Sequence, residues 1–197
     1  MARSYRIAVI PGDGIGKEVV PEGLRVLDEA ARRFGFTLDA THYDWSCETF
    51  RQTGKMMPDD GLEQLRPHDS IFLGAVGWPG VPDHVSLWGL LIPMRRGFDQ
   101  YANVRPCRLM PGAKTPLRDR TEKDIDFVVV RENTEGEYSS TGGRMFPGTE
   151  REFASQQSVF TRIGCDRIMD YAFKLAETRP RKKVTSATKS NGITFTM

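Results

Sequence analysis

Three arginines occupy positions where the sequence indicates that ordered elements begin or end. Arg95 lies at the end of a predicted helix, Arg105 lies on the strand predicted after it, and Arg131 ends a further predicted strand. A guanidinium pairs with a carboxylate through two parallel hydrogen bonds and keeps its charge at any relevant pH. Arg95 and Arg105 could therefore converge on one anion. A solvated basic surface is the alternative, because charged side chains are mostly exposed.

Arg131 directly follows the apolar run 127–130, so it lies at the carboxyl end of a predicted buried strand. Open α/β sheets bind their ligands at the carboxyl ends of the strands. The same arginine could instead form an ion pair with Glu132 or Glu135 that caps the following loop. The residues alone thus leave a binding role and a capping role open for Arg131.

Two further side chains have groups that can exchange protons. Tyr138 falls on a segment predicted to be a loop, and a phenol beside charged groups can donate or accept a proton. Lys189 follows a short predicted strand and could act as a base if burial or nearby cations destabilised its ammonium form. An ordinary exposed lysine is the commoner situation. The three histidines have neither metal-ligand spacing nor a triad arrangement with a serine; they are His42, His68 and His84.

A glycine-rich turn, Gly12, Gly14 and Gly16, separates the first predicted strand from the first predicted helix. Backbone N–H groups at such a turn can face a phosphate. The spacing is G-x-G-x-G, however, and lacks the third glycine of the dinucleotide-binding fingerprint G-x-G-x-x-G. A tight turn that feeds a helix is therefore the alternative interpretation.

Alternation of strands and helices predicts how these residues are positioned. Apolar runs predict strands at 6–10, 37–43 and 70–75, and helical periodicity predicts helices at 15–34 and 58–65. This order is typical of a parallel α/β sheet. Further along, we expect a helix at 87–96 interrupted by Pro93, strands at 102–109, 125–130, 153–161 and 184–188, and a helix at 166–177.

Composition excludes several classes of protein. The 197 residues contain 28 Lys and Arg against 26 Asp and Glu, and a net charge of +2 does not indicate a nucleic-acid or membrane-surface protein. No apolar run is long enough for a membrane span. The three cysteines are odd in number and show no C-x-x-C spacing, which is typical of reduced thiols in a cytoplasmic protein.

Five stretches, taken in order, resemble the β-decarboxylating dehydrogenase family, which includes isocitrate, isopropylmalate, D-malate and tartrate dehydrogenases. The stretches are IPGDGIGKEV, FLGAVGWP, the series Arg95…NVRP…Arg131, VRENTEGEYS and ATKSNG. They cover nearly the whole chain. DHVSLWGLLIPMRR and RENTEGEYSSTGGRMFPGTEREFASQQSVFTR most resemble the tartrate and D-malate members.

The resemblance implies roles for the candidate residues. Arg95, Arg105 and Arg131 would hold the carboxylates of a 2-hydroxy dicarboxylic acid and so fix its hydroxyl-bearing carbon for hydride transfer to NAD⁺. Asn191 would contact the substrate or the nicotinamide. Trp88 and Gly192 stand where contacts to the substrate's tail are expected, which favours a small or polar tail.

The resemblance also implies the catalytic groups and cofactors. Tyr138 would protonate the enol after carbon dioxide leaves, and Lys189 would take the hydroxyl proton directly or through a water. Gly74 and Ala75, with Asn191, would contact NAD. A divalent metal, Mg²⁺ or Mn²⁺, would polarise the substrate oxygens, and a monovalent cation such as K⁺ is a further expected cofactor. The aspartates that bind the divalent metal are expected beyond Met197.

For the fold, the resemblance implies an α/β, isopropylmalate dehydrogenase-like two-domain architecture with parallel and mixed sheets, truncated at its C-terminus. Residues 1–100 would form the first part of the large domain, and 101–197 an incomplete second domain for dimerisation and substrate binding. The full-length form is expected to be a homodimer. An opened sheet exposes an unpaired edge, so we expect the isolated chain to be inactive.

Two alternatives remain at this point. The first is a 3-isopropylmalate dehydrogenase, which differs in the tail of its substrate. The second is a non-catalytic truncated product that only binds a full-length subunit.

Overall fold

The computed structural model of the protein describes residues 3–187 and residue 195. The chain divides into two compact units, Met1–Gly97 and Phe98–Met197. Within the described residues, no helix combines the length and the apolar character that crossing a membrane requires.

The first unit is built around a parallel sheet. Its strands are β1 (Arg3–Gly12), β2 (Phe36–His42) and β3 (Ser70–Ala75), and its first helices are α1 (Gly16–Phe34), α2 (Cys47–Thr53) and α3 (Gly61–Leu65). The strand order is β2-β1-β3, with both pairs parallel. The predicted parallel α/β sheet is therefore confirmed, while α2 is a helix that the sequence patterns did not predict.

The core of this unit forms where α1 packs on the central strand. Ile7 and Val9 of β1 and Val20 of α1 are buried together, and Phe72 of β3 packs against them. A Cβ atom at Gly23 would lie 2.6 Å from Cζ of Phe72, so the helix can approach the sheet this closely only with glycine there.

A continuous helical stretch ends the first unit. It consists of α4 (Asp83–Ser86), a π-helical segment (Leu87–Leu91) and α5 (Ile92–Gly97). The predicted interruption at Pro93 is wrong, because the helix continues through this residue. A proline crowds the carbonyl four residues before it. Here that carbonyl belongs to Gly89, which lies in the wider π-helical turn and so has more room.

The second unit contains two antiparallel strand pairs and a long helix. β4 (Ala102–Arg108) pairs with β5 (Asp126–Glu132), and β6 (Gly136–Met145) pairs with β7 (Phe153–Val159). Helix α6 (Arg162–Thr178) packs on β5. The strand predicted at 184–188 is wrong for residues 184–187, which have no regular secondary structure, and Ala187 is the last of these described residues.

Candidate active site

The candidate residues fall in both units. In the first, Gly74 and Ala75 end β3, and Arg95 is a half-buried residue of α5. In the second, Arg105 lies on β4, Arg131 on β5 and Tyr138 on β6. The predicted loop around Tyr138 is wrong, since pairing with β7 makes this segment a strand. Lys189 and Asn191 lie outside the described residues, as does Gly192.

The structure brings three of these side chains together in the second unit. Arg131 is directly opposite Asn103 in the β4–β5 pair, and Arg105, two residues further along β4, lies on the same face. Nε of Arg105 donates to Oδ1 of Asn103 at 3.2 Å. The guanidinium of Arg131 lies 5.1 Å from the centre of the Tyr138 ring, a cation–π contact. Two cations and one phenol thus share a small region.

Asn133 anchors the end of β5 that carries Arg131. It is buried, and its Nδ2 donates to the backbone carbonyl of Gln100 at 3.1 Å. A longer contact of 3.5 Å joins its Oδ1 to Nδ2 of Asn103. Buried amides usually have such partners, because an unsatisfied one costs free energy. Asn133 therefore fixes the chain two residues after Arg131.

Glu132 shapes the turn between β5 and β6. Its carboxylate accepts hydrogen bonds from the backbone N–H of Thr134 at 2.9 Å, from the Thr134 hydroxyl at 2.6 Å and from the N–H of Glu135 at 2.7 Å. Burial acts to raise the pKa of Glu132, but these hydrogen bonds outweigh it and hold the pKa below its ordinary value. The carboxylate is thus occupied within its own turn.

Arg167 of α6 joins this turn to the start of the unit. Its Nη1 donates to both carboxylate oxygens of Asp99, at 2.9 and 3.0 Å, and its Nη2 donates to Oγ1 of Thr134 at 2.8 Å. The guanidinium also lies 4.6 Å from the centre of the Tyr101 ring and 3.8 Å from Glu132. This arginine was missed by sequence reasoning, because its partners are far from it in the chain.

Glu135 fixes the entry to β6, the strand that carries Tyr138. Its carboxylate accepts from the backbone N–H of Thr161 at 2.9 Å and from the Thr161 hydroxyl. A Cβ at Gly164 would lie 2.2 Å from Oε2 of Glu135, so a larger residue there would displace this carboxylate from its bonds to Thr161. The glutamates that sequence reasoning considered as partners of Arg131 therefore bind threonines, backbone N–H groups and Arg167.

In the first unit, the ends of β1 and β3 approach each other closely. Gly12 is paired with Ala75, and a Cβ at Gly12 would lie 2.1 Å from the Ala75 carbonyl oxygen. Beside them, Asp13 is buried and accepts hydrogen bonds from the backbone N–H groups of Cys47 and Gly77. Burial and, second, the hydrogen bond with Asp13 raise the pKa of the Cys47 thiol to about 11. Cys47 is therefore a structural, unreactive thiol.

The expected NAD and metal can be compared with these residues. Gly14 and Gly77 follow β1 and β3, are exposed, and have no atom within 4 Å of an added Cβ, so bare backbone faces open space where a flat cofactor group could approach. These turns leave room for the expected cofactor. For the metal, residues 3–187 and 195 include no cluster of three or more His, Cys, Asp or Glu side chains able to hold an ion.

Comparisons with known proteins give a consistent result. Residues 6–196 match the isocitrate/isopropylmalate dehydrogenase family. Over the whole chain, 62% of residues are identical to a decarboxylating D-malate dehydrogenase of Escherichia coli (strain K12), covering 55% of that protein. A tartrate dehydrogenase/decarboxylase of Pseudomonas putida is 61% identical over the whole chain, which covers 54% of it. The chain thus spans about half the length of these curated relatives.

The fold agrees with this match. The crystal structure of isocitrate dehydrogenase from Methylococcus capsulatus superimposes with a TM-score of 0.69 at 30% identity, over 88% of this chain and 48% of that one. Sequence and structure point to the same group of decarboxylating dehydrogenases. The chain therefore belongs to the isocitrate/isopropylmalate dehydrogenase family.

Proposed function

We propose that the protein containing this chain catalyses the oxidative decarboxylation of a small 2-hydroxy dicarboxylic acid, D-malate or tartrate, with hydride transfer to NAD⁺. The main support is the group formed by Arg105, Arg131 and Tyr138: the two arginines share one face of a strand pair, and Arg131 lies against the phenol ring of Tyr138. The names of two relatives, at 62% and 61% identity, favour D-malate and tartrate over other family substrates.

We assign substrate binding to the arginines. Arg105 and Arg131 lie on one face of a strand pair whose main-chain hydrogen bonds fix their spacing. Guanidiniums on a rigid support bind a dicarboxylate in one orientation, and this orientation determines which hydrogen the cofactor can receive. Arg95 and Asn191 receive the same assignment from the motif series in which they occur.

The proposed reaction has two proton transfers and one hydride transfer. NAD⁺, when bound, would supply the acceptor for the hydride that carries the electron pair of the substrate's C2–H bond, and Lys189 would accept the hydroxyl proton. The resulting 2-keto acid loses carbon dioxide, and the electrons of the broken carbon–carbon bond form an enolate. Tyr138 donates a proton to its carbon, giving the 2-keto product. Arg131 beside the ring stabilises the negative charge that this donation leaves on the phenol.

The cofactors are part of the proposal. NAD⁺ supplies the hydride acceptor, and we assign Gly74 and Ala75 to its nicotinamide end, because the adjoining turns present bare backbone. Mg²⁺ or Mn²⁺ remains an expectation from the resemblance, as does K⁺. The roles given above for Arg131 and Tyr138 do not depend on a metal.

The test is an assay of the complete reading frame that contains these 197 codons. NADH formation should be measured with D-malate, tartrate, 3-isopropylmalate and isocitrate as competing substrates, and with NADP⁺ in place of NAD⁺. We expect the highest kcat/KM with D-malate or tartrate. A clear preference for 3-isopropylmalate would replace this proposal with the isopropylmalate alternative, and no turnover of any 2-hydroxy acid would reject it.

Variants of the site test the assignment of residues. Tyr138→Phe keeps the ring beneath Arg131 but removes the proton, and we expect kcat to fall by about 10²–10⁴-fold with little change in KM. Tyr171→Phe, the same change on α6, is the matched control and should leave kcat unchanged. If both variants behaved alike, Tyr138 would not be the acid.

Arg131→Lys tests bidentate binding of the carboxylate. A lysine keeps the charge but lacks the planar fork, so we expect KM for the dicarboxylate to rise about tenfold or more. Arg108→Lys, on the opposite face of β4, is the control.

The expected homodimer of the full-length protein is checked by light scattering on the same preparations.

A further inference from the structure

Asp13 is the most deeply buried carboxylate among the described residues, at 2% exposure, and the family motifs give it no role. It lies in the turn between β1 and α1, the only charged residue of IPGDGIG. A buried charge is costly unless it is fully hydrogen-bonded. The hydrogen-bond partners of Asp13 therefore indicate the role of its buried carboxylate.

The Asp13 carboxylate joins three segments of the first unit. Its Oδ1 and Oδ2 accept from the backbone N–H of Cys47 at 3.0 and 3.1 Å, and Oδ2 also accepts from the N–H of Gly77 at 3.1 Å. The N–H of Asp13 itself donates to the carbonyl of Ala75 at 2.6 Å. Cys47 begins α2, and Gly77 follows β3. One side chain thus ties the glycine turn to α2 and to the loop after β3.

A carboxylate satisfies this set of partners without any conflict between donors. Every polar group that contacts the side chain is a donor, and an ionised carboxylate is purely an acceptor. The N–H of Cys47 faces both carboxylate oxygens, so the NH₂ group of an asparagine would oppose this donor in either orientation of the amide. The site therefore favours Asp over Asn, its closest isostere.

The tie to Gly77 matters because that residue is otherwise weakly held. Its φ of +151° lies in a region that favours glycine, it is exposed, and an added Cβ would meet no atom within 4 Å. Ala75, two residues earlier, is held through its carbonyl by the N–H of Asp13. Asp13 thus restrains both ends of the segment 75–77.

We propose that Asp13 is a positioning residue for the cofactor, holding the backbone of Ala75–Gly77 in the conformation that receives the nicotinamide end of NAD. This assignment rests on the proposed function, which places Gly74 and Ala75 at that end. Asp13 acts through the backbone of the loop and does not itself react. Its loss should therefore weaken cofactor binding, while binding of the dicarboxylate by the arginines of the second unit persists.

The experiment uses the complete protein and measures three quantities for Asp13→Asn. These are the Kd for NADH by fluorescence titration, the Kd for the dicarboxylate by calorimetry, and hydrogen exchange of the peptide containing Gly77 in protein without cofactor. We expect the Kd for NADH and the KM for NAD⁺ to rise about tenfold, the Gly77 amide to exchange at least about tenfold faster, and the dicarboxylate Kd to change less than twofold.

Ser46→Ala is the matched control. Ser46 is also buried and adjoins Cys47, but its hydroxyl hydrogen-bonds to Thr49 and so caps α2. We expect it to lower the melting temperature without changing the Kd for NADH. If Ser46→Ala weakened NADH binding as much as Asp13→Asn, Asp13 would be a general structural support and the proposal would be overturned.

Gly77→Ala keeps the proposal testable if Asp13→Asn does not fold. The added methyl group meets open space, so the variant should fold, but its φ is unfavourable for alanine and displaces the loop. We expect the same rise in the Kd for NADH. A Kd for NADH equal to that of wild type, in Gly77→Ala or in folded Asp13→Asn, overturns the role assigned to Asp13. In that case turnover by the wild-type protein still upholds the proposed function. A wild-type protein that neither binds NADH nor reduces NAD⁺ overturns both.

Discussion

The two units differ in what holds them together. In the first, four consecutive residues of the central strand, Ile7 to Ile10, are between 0% and 9% exposed. In the second, Phe127 and Val129 on β5 are 50% and 42% exposed. Among the described residues, Ala176 is the only buried hydrophobic residue of the second unit. Its order comes instead from directed polar contacts made by Arg167, Glu132 and Glu135.

The two units are thus stabilised by different kinds of interaction. Burial of apolar side chains stabilises the folded state in proportion to the area buried, at about 25 cal/mol per Å². It tolerates substitutions that change the shape of a side chain but conserve its volume. Hydrogen bonds and ion pairs act only at defined distances, and a partner left alone when buried is costly. We therefore expect the first unit to be sensitive to lost volume and the second to lost charge.

The largest effect should come from the core of the first unit. Ile10→Ala removes a fully buried side chain from β1 and should lower the free energy of unfolding by about 2–5 kcal/mol. Urea unfolding followed by tryptophan fluorescence measures it, because all three tryptophans of these 197 residues lie in the first unit. Phe127→Ala on half-exposed β5 is the control and should cost less than about 1 kcal/mol, measured by hydrogen exchange of peptides from 126–178 because residues 98–197 include no tryptophan. Equal losses would remove the proposed contrast.

The next effect concerns thiol chemistry. With its pKa raised from 9.0 to about 11, Cys47 forms about a hundredfold less thiolate than an ordinary cysteine, and it is also buried. Cys107 and Cys165, in the second unit, are only partly buried. Timed alkylation with peptide mass spectrometry should therefore label these two first, and Cys47 only after the first unit unfolds. Early labelling of Cys47 would show that the core of the first unit opens readily.

A smaller loss is expected from Arg167→Met, which keeps the length of the side chain but removes its charge. The variant loses the paired contact with Asp99 and the bond to Thr134, so we expect roughly 2 kcal/mol of destabilisation confined to the second unit. Hydrogen exchange of peptides from 126–178 measures it. Arg162→Met removes an exposed arginine from the same helix and should cause no measurable change. Similar exchange in both variants would mean that Arg167 does not organise the unit.

The smallest effect is a dependence on pH through Glu132. Its folded-state pKa lies below the ordinary value of 4.5, so its stabilisation is complete above that pH and is lost as the pH falls through the folded-state pKa. Glu132→Gln should be less stable than wild type near neutrality, and the difference should shrink as the pH falls below 4.5. Hydrogen exchange across this range measures it, with exposed Glu150→Gln as the control. A constant difference would show that the charge of Glu132 is not what stabilises the turn.

The fold was predictable where local pattern and tertiary packing agree. The apolar run at 70–75 became β3 with the same bounds, and the periodicity at 15–34 became α1. β6 was missed because its glycines and polar residues resemble a loop, and only pairing with β7 makes it a strand. Helix α2 has just seven residues, and its main local signal is the capping Ser46.

The residues of the candidate site likewise divide into those that the sequence could predict and those that it could not. Arg131 and Tyr138 could be selected because they stand in a recognisable stretch, and the structure places them in contact. Their roles in catalysis stay predictions. Arg167 and Asp13 could not be selected, because their partners lie 33 to 68 residues away for the first and 34 to 64 for the second. Side chains that position others through distant contacts leave no periodic signal in the sequence.

The central position of β1 also sets an order for folding during synthesis. This strand precedes both of its neighbours in the chain, yet its second edge is filled only when Ser70–Ala75 pairs with it. Until those residues leave the ribosome, the apolar segment Ile7–Ile10 has one open edge and can pair with other chains. A nascent chain of this protein is thus open to aggregation, and to chaperone binding, from the synthesis of β1 until that of β3.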